Sequence, residues 1–333
     1  MATIREIARI AEVSTATVSN VIHGNTGKVS PEKLAKIQIL LDQFRYVKKL
    51  GLSHLNNAKS RIICMAINAS KTYENSIFAD PFYGQILGVA EGLLQEQDYY
   101  LMIYVSPNVE DIFRTVAAWN IDGIIAVTFR AEDCDKLQCL TEKPVVSIDV
   151  IGEVSGGFVN IGLEDFKGGY RMTQHLITRN YHDILILANS DFGVDHDRWR
   201  GYRKALDEGG IPYDSGNYVL ISTEQKRRLI LYEALLSRLK KGSALFFLSD
   251  FYALEGIGFL SKNHISVPND VGVAGFDDTV YSRFSVPPLT TVHQDISQKA
   301  AAAVEQLLLL LDGVAPASRD IRLPVELLIR EST

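Results

Sequence analysis

Thr15, Ala16, Thr17, Ser19 and Asn20 share the outer face of a short segment whose inner face is Val18, Val21 and Ile22. Small or polar side chains near a helix N-terminus suit the major groove of DNA, where they meet base edges. A second set of residues suits a small hydroxylated molecule. Asp149, Asp250 and Asp277 each end an apolar run of strand type, in PVVSI, SALFFLS and VGVAGF. Carboxylates at strand ends face the crevice of an open parallel sheet and accept hydrogen bonds from sugar hydroxyls. Phe82 and Tyr83 offer a stacking face to a ring. Each residue also has a structural reading: Asp250 as a helix cap, Asp277 and Asp278 as caps of a turn, Asp149 as a polar loop residue, Phe82 or Tyr83 as core. No G-x-S-x-G, P-loop or H-E-x-x-H occurs, so no catalytic or metal site is expected. Gly168-Gly169 is a lone pair rather than a dinucleotide fingerprint, and His175 and His182 read as structural. No cofactor is expected.

These residues need elements to position them. Ile4, Ile7, Ala8 and Ala11 recur at i, i+3, i+4 and i+7, which predicts a first helix capped by Thr3. Val13 and Ser14 form a tight turn, with Ser14 placed to accept a backbone N–H from the second helix. Two short helices so joined read as a helix-turn-helix, against the plainer alternative of a helical hairpin in a larger core. Ser30-Pro31-Glu32 starts a third helix, with Leu34, Ile37, Leu41 and Phe44 as its packing face. Residues 1–46 are thus expected to form a three-helix headpiece, followed by a linker at 47–60. From residue 61 short apolar runs (61–68, 99–106, 122–128, 144–150, then 183–190, 218–223, 243–250, 271–278) alternate with helical segments. Continuous apolar strands separated by helices mean parallel sheets covered on both faces. Two such series predict two α/β subdomains with a cleft between them.

Charge divides the chain in the same place. Residues 1–60 hold nine Lys/Arg and four Asp/Glu, whereas the whole chain of 333 residues carries a net charge of -6. A basic head on an acidic body suits docking of one end on phosphates. Cys64, Cys134 and Cys139 have no zinc spacing and read as inert thiols in a reducing cytoplasm. No signal peptide or membrane span is expected, since the apolar run 300–311 is interrupted by Glu305 and Gln306.

ATIREIARIAEVSTATVSNVIHG resembles the N-terminal signature of the LacI/GalR family of bacterial transcriptional regulators. The likeness continues in DPFYGQILGVAEG (80–92), IGLEDFKGGY (161–170), RWRGYRKAL (198–206), VPNDVGVAGFDD (267–278), PPLTTVHQD (287–295) and RLPVELLIREST (322–333). It implies a helix-turn-helix DNA-binding headpiece on an α/β periplasmic-binding-protein-like body of two parallel-sheet subdomains. The N-subdomain is expected at about 61–160 and 293–320, the C-subdomain at about 161–292 and 321–333. The resemblance places Thr15, Ala16 and Asn20 on bases, and Thr17 and Ser19 on phosphates. It makes 47–60 a hinge whose Leu55 wedges into the minor groove, and Arg198 an effector-binding arginine. It implies a cytoplasmic repressor, homodimeric on pseudo-palindromic double-stranded operator DNA and controlled by a small molecule, with a sugar or sugar phosphate favoured by the Asp and aromatic residues. The end at Thr333 without a heptad segment suggests a dimer rather than a tetramer. Rival readings are a solute-binding protein, a sugar-processing enzyme with a DNA-binding head, and a regulator answering to a nucleobase or a partner protein.

The chain also departs from the family pattern. Lys48, Gly51 and Ser53-His54 alter the hinge, Glu12 stands in the turn where Gly or Asn is usual, and Glu164-Asp165 replace Asp-Asn. Asn20 stands where Arg is common. Arg pairs with guanine and Asn with adenine, each with about 1–3 kcal/mol of discrimination. A binding selection on random duplexes should therefore return adenine at the base pair facing Asn20, and Asn20→Arg should shift that position to guanine. Guanine in both selections would refute the assignment.

Overall fold

The computed structural model describes residues 3–22, 24–44, 46, 60–68 and 77–333. In the head, α1 (Ile4–Ala11), α2 (Thr15–Ile22) and α3 (Pro31–Gln43) surround a core of Ile7, Ala8, Ala11, Val18, Ile37 and Leu40. Thr3 and Glu6 close a reciprocal box at the start of α1: the Glu6 N–H donates to Thr3 Oγ1 at 3.3 Å, and the Thr3 N–H to Glu6 Oε2 at 2.8 Å. Glu12 ends α1 at φ 58°, a left-handed conformation that costs a non-glycine residue about 1 kcal/mol. Ser14 Oγ accepts the Thr17 N–H at 3.1 Å and so starts α2. On α3 the buried face differs from expectation. Leu40 is buried and Leu41 packs beside it, whereas Phe44 is 39% exposed at the helix end. Ser30 occupies the cap position of α3, but its side chain makes no cap bond.

The body holds two six-stranded sheets. The first has the order β11 (Asp320–Leu323), β5 (Val159–Leu163), β4 (Val145–Ile148), β3 (Gly123–Val127), β1 (Ile62–Ile67), β2 (Tyr100–Val105), all parallel. The second has the order β12 (Val325–Leu328), β10 (Thr290–Gln294), β9 (Val271–Asp277), β8 (Ser243–Phe247), β6 (Asp183–Ala188), β7 (Tyr218–Leu220), with only β12 antiparallel. Side chains alternate across each strand, so each sheet needs cover on both faces. In the first sheet Ile63, Met65 and Ile67 pack under α4 (Pro81–Gln95) and α12 (Ile296–Leu311). Cys64 and Ala66 face α5 (Val109–Trp119) and α6 (Ala131–Thr141). In the second sheet Ile184 and Ile186 pack under α7 (Asp165–Thr178) and α8 (Val194–Glu208), while Leu185 and Leu187 face α9 (Gln225–Leu236) and α10 (Asp250–Lys262). A short helix, α11 (Val280–Phe284), follows β9.

The chain passes between the subdomains three times, each time a few residues beyond the approximate boundaries expected from the resemblance. Strands β5 and β11 belong to the first sheet and β10 to the second. The crossings therefore lie at Glu164, Asp295 and Pro324 rather than after residues 160, 292 and 320. Each crossing falls at the end of a strand, because a strand cannot leave its sheet midway without stranding backbone N–H and C=O groups. Cys64 and Cys134 are buried, and burial pushes both thiols up to about 12; Cys139 is exposed. Among the described residues no helix is long and apolar enough to cross a membrane.

The Gly168-Gly169 pair has a packing role. A Cβ on Gly169 would lie 2.0 Å from the backbone oxygen of Arg198, and one on Gly201 would lie 2.0 Å from that of Phe166. Bare glycines thus let α7 and α8 touch backbone to backbone. Gly169→Ala should destabilise the chain by about 3 kcal/mol in urea unfolding. Gly258→Ala, on α10 with nothing within 4 Å of its added Cβ, should instead gain up to about 1 kcal/mol. Equal tolerance at both positions would contradict this packing.

Candidate functional site

On the head, Thr15, Ala16 and Asn20 are exposed, and Thr17 and Ser19 are half-buried. The Thr17 hydroxyl lies 2.8 Å from that of Ser14, so it also steadies the turn. Leu55 and the linker positions 47–59 lie outside the described residues.

In the body, strand ends from both sheets converge on a cavity of about 110 Å³ between the subdomains. From the first subdomain come Asp80, Phe82, Tyr83, Thr128, Asp149 and Ile151. From the second come Asn189, Asp195, Arg198, Ser249, Tyr252 and Asp277, with Gln294 at the crossing. Thr128, Asp149 and Asp277 have φ of 60°, 54° and 121°. Positive φ at three non-glycine lining residues is strain of the kind held at binding sites.

Five of the six body residues expected to bind a ligand line this cavity: Phe82, Tyr83, Asp149, Arg198 and Asp277. Asp250 does not. It is fully buried behind the wall, where its carboxylate accepts from the Thr291 hydroxyl at 2.6 Å and the Thr279 N–H at 2.8 Å. Gly275 leaves it room, since a Cβ there would lie 2.3 Å from Asp250 Oδ1. The cap of α10 is Ser249, whose Oγ accepts from the Phe251 N–H. Asp278 also stays outside, held by Arg330, Arg283 and His293.

Arg198 is anchored on several sides. Its Nε donates to Asp165 Oδ1 at 2.8 Å and its Nη1 to the Leu248 carbonyl at 2.7 Å, while Asp195 lies 3.9 Å from Nη1. The guanidinium sits 3.6 Å above the Phe276 ring centroid. Burial works against its charge, but Asp165, Asp277 and Asp195 outweigh that and raise its pKa. Asp165 is one of the two departures from the family's Asp-Asn, and its carboxylate holds this arginine.

Several lining residues escaped the sequence reading. Asp80 follows no strand; the signal available was Asp-Pro at a helix start, and its Oδ1 accepts from the Phe82 N–H at 2.9 Å. Gln294 ends a strand, TTVHQ, too polar to register as an apolar run. Lys299 stands behind the wall, fully buried, with Nζ 2.8 and 3.0 Å from the Asp149 oxygens and 2.8 Å from Gln294 Oε1. It interrupts the apolar face formed by Ile296, Ala303 and Leu307, which was a legible sign of a buried charge.

Known proteins resemble the chain along its length. Residues 3–48 match the model of bacterial regulatory proteins of the lacI family, and residues 173–333 that of a periplasmic binding protein-like domain. The chain thus joins a lacI-type regulatory head to a periplasmic binding protein-like body. It is 27% identical to the HTH-type transcriptional regulator DegA of Bacillus subtilis (strain 168), over 99% of this chain and 98% of that protein. It is 29% identical to the HTH-type transcriptional repressor PurR of Actinobacillus pleuropneumoniae serotype 3 (strain JL03), over 100% and 98%. Solved structures of similar fold include the transcriptional regulator CelR in complex with cellobiose (TM-score 0.75, 23% identity, full coverage of both chains). Another is the Lac repressor dimer bound to operator and the anti-inducer ONPF (TM-score 0.71, 21% identity, 99% and 98% coverage). With this head the chain is a DNA-binding transcriptional regulator, and its relatives are regulators rather than enzymes.

The cavity carries a pH signature. The Asp80 carboxyl is pushed up to about 7, mainly by burial, with the Asp277 charge adding and the Phe82 N–H opposing. A raised carboxyl pKa contributes stability below its ordinary value of 3.8, and that contribution is lost as pH rises towards 7. Asp80→Asn keeps the acceptor for Phe82 and removes the charge. Its stability gain over the parent should grow between about pH 4 and pH 7, to at most about 4 kcal/mol at about 1.4 kcal/mol per unit. A pH-independent difference in urea unfolding would show that Asp80 is not the titrating group.

Proposed function

We propose that this regulator is a repressor which binds a pseudo-palindromic operator as a homodimer and is controlled by a compact hydroxylated molecule held in the cleft. Residues 1–46 act as the DNA-binding head and 47–60 as the hinge; 61–333 form the effector-binding and dimerisation body. Thr15, Ala16 and Asn20 read bases, Thr17 and Ser19 approach phosphates, and Leu55 enters the minor groove.

The observation carrying the effector reading is the cavity itself, which draws its wall from both subdomains. A ligand gripped from both sides binds one relative pose more tightly than another and so shifts the equilibrium between them. Phe82, Tyr83 and Tyr252 supply apolar faces, and Asn189, Ser249 and Gln294 supply polar groups for hydroxyls. Sugar complexes of similar fold, such as CelR with cellobiose, support a carbohydrate. The lining sets Asp80, Asp149, Asp195 and Asp277 against Arg198, which favours a sugar over a sugar phosphate. Support for a dimer comes from the operator-bound Lac repressor dimer and from apolar surface beside α11, where Phe284 is 76% and Val286 88% exposed. Exposed apolar side chains gathered in one short stretch of chain suit a second copy.

The test is operator binding by the full chain on a duplex recovered by selection. Removing residues 1–60 should abolish binding. Phe284→Glu should weaken it at least about tenfold at low protein concentration, with sedimentation showing monomers. Binding that survives the deletion, or a Phe284→Glu chain that stays dimeric, would overturn the corresponding part of the reading.

A further inference from the structure

Charge inside the cleft is unbalanced in a specific way. Asp149 is matched by Lys299, and Arg198 by Asp165 with Asp195 beside it. Asp80 and Asp277 have no cation within ion-pair distance among the described residues, although the Arg198 and Lys299 charges and a hydrogen bond from Ser249 partly offset the burial of Asp277. They come from opposite subdomains, both line the cavity, and each is at most 9% exposed. Asp80 Oδ1 accepts the Phe82 N–H, and among the described residues its second oxygen takes no donor. Asp277 Oδ1 accepts from Gln294 Nε2 at 2.6 Å. The Asp277 charge disfavours ionisation of Asp80.

A neutral ligand filling this space expels water from both carboxylates and adds no charge of its own to offset them. An anionic ligand adds a third negative group. An ammonium placed between them satisfies both, and Phe82, Tyr83 and Tyr252 nearby present aromatic faces that also favour a cation. The remaining polar groups, Asn189, Ser249 and Gln294, suit hydroxyls. The cavity is small beside drug-sized sites of roughly 300–1,000 Å³.

We propose that the effector carries one protonated amine on a compact hydroxylated frame, an amino sugar in chemical class, with its ammonium bridging Asp80 and Asp277 across the cleft. This rests on the reading of the cleft as the effector site. It also gives that site a direction of action: the cation holds the Asp80 wall and the Asp277 wall together.

Titration calorimetry on the full chain at neutral pH tests this with matched probes: D-glucosamine against D-glucose, D-galactosamine against D-galactose, then N-acetyl-D-glucosamine and D-glucosamine 6-phosphate. At least one amine should bind about tenfold or more tightly than its hydroxyl twin, a difference of about 1.4 kcal/mol. N-acetylation should remove the advantage and the phosphate should weaken binding. Asp80→Asn and, separately, Asp277→Asn should each bring the amine down to the level of its twin. Hydroxyl twins that match their amines, tighter binding of the phosphate, or no binding of either amine at millimolar concentration would each overturn the proposal. Operator binding by the same preparation separates that failure from failure of the regulator reading.

Discussion

Lys299 is fully buried, and its ammonium is satisfied only because three acceptors meet it. Two belong to Asp149 at the end of β4, in the first sheet; the third belongs to Gln294 at the end of β10, in the second. Gln294 in turn donates to Asp277 at the end of β9. One helix therefore ties the wall of one subdomain to the wall of the other through an unbroken polar chain. A buried charge that loses its partner costs about 3–5 kcal/mol, so the arrangement tolerates little misplacement. The placing of Asp149 and Asp277 along the cleft follows from this constraint.

On the other wall Arg198 plays the corresponding part. It spans Asp165 on α7 and the Leu248 carbonyl after β8, and it lies flat on Phe276 of β9. The bare contact between α7 and α8 at Gly169 and Gly201 brings Asp165 and Arg198 within reach. Each wall is thus organised around one buried cation held by carboxylates. The acidic groups left over give the cleft a polarity opposite to that of the basic head. Screening over about 8–10 Å keeps the two fields apart.

Much of this was legible in the sequence because it is periodic. The stripe Ile4, Ile7, Ala8, Ala11 and the short apolar runs from residue 61 onward reported their burial directly, since a surface facing a core must be apolar at the period of its element. Strands β5, β10, β11 and β12 were not outlined by apolar runs, because they include polar residues such as Asn160, His293, Arg322 and Glu326. The subdomain boundaries shifted by a few residues as a result. Phe44 continued the apolar period of α3 but lies at the helix end, where the core has already stopped.

Residue types at strand ends were enough to nominate Asp149 and Asp277, because a parallel sheet opens its carboxyl edge to a crevice. They were not enough to tell Asp250 from these two, since all three end apolar runs. Only the tertiary structure decides that the space beside Gly275 draws Asp250 inward to Thr291 and Thr279. The sequence by itself determined the head, the two-subdomain body and the charge contrast between them, which follow from local period and composition. The tertiary structure decided which carboxylates face one another across the cleft and which are neutralised. Those pairings join residues as far apart as Asp149 and Lys299, and no local pattern encodes a contact that exists only once two sheets have been laid side by side.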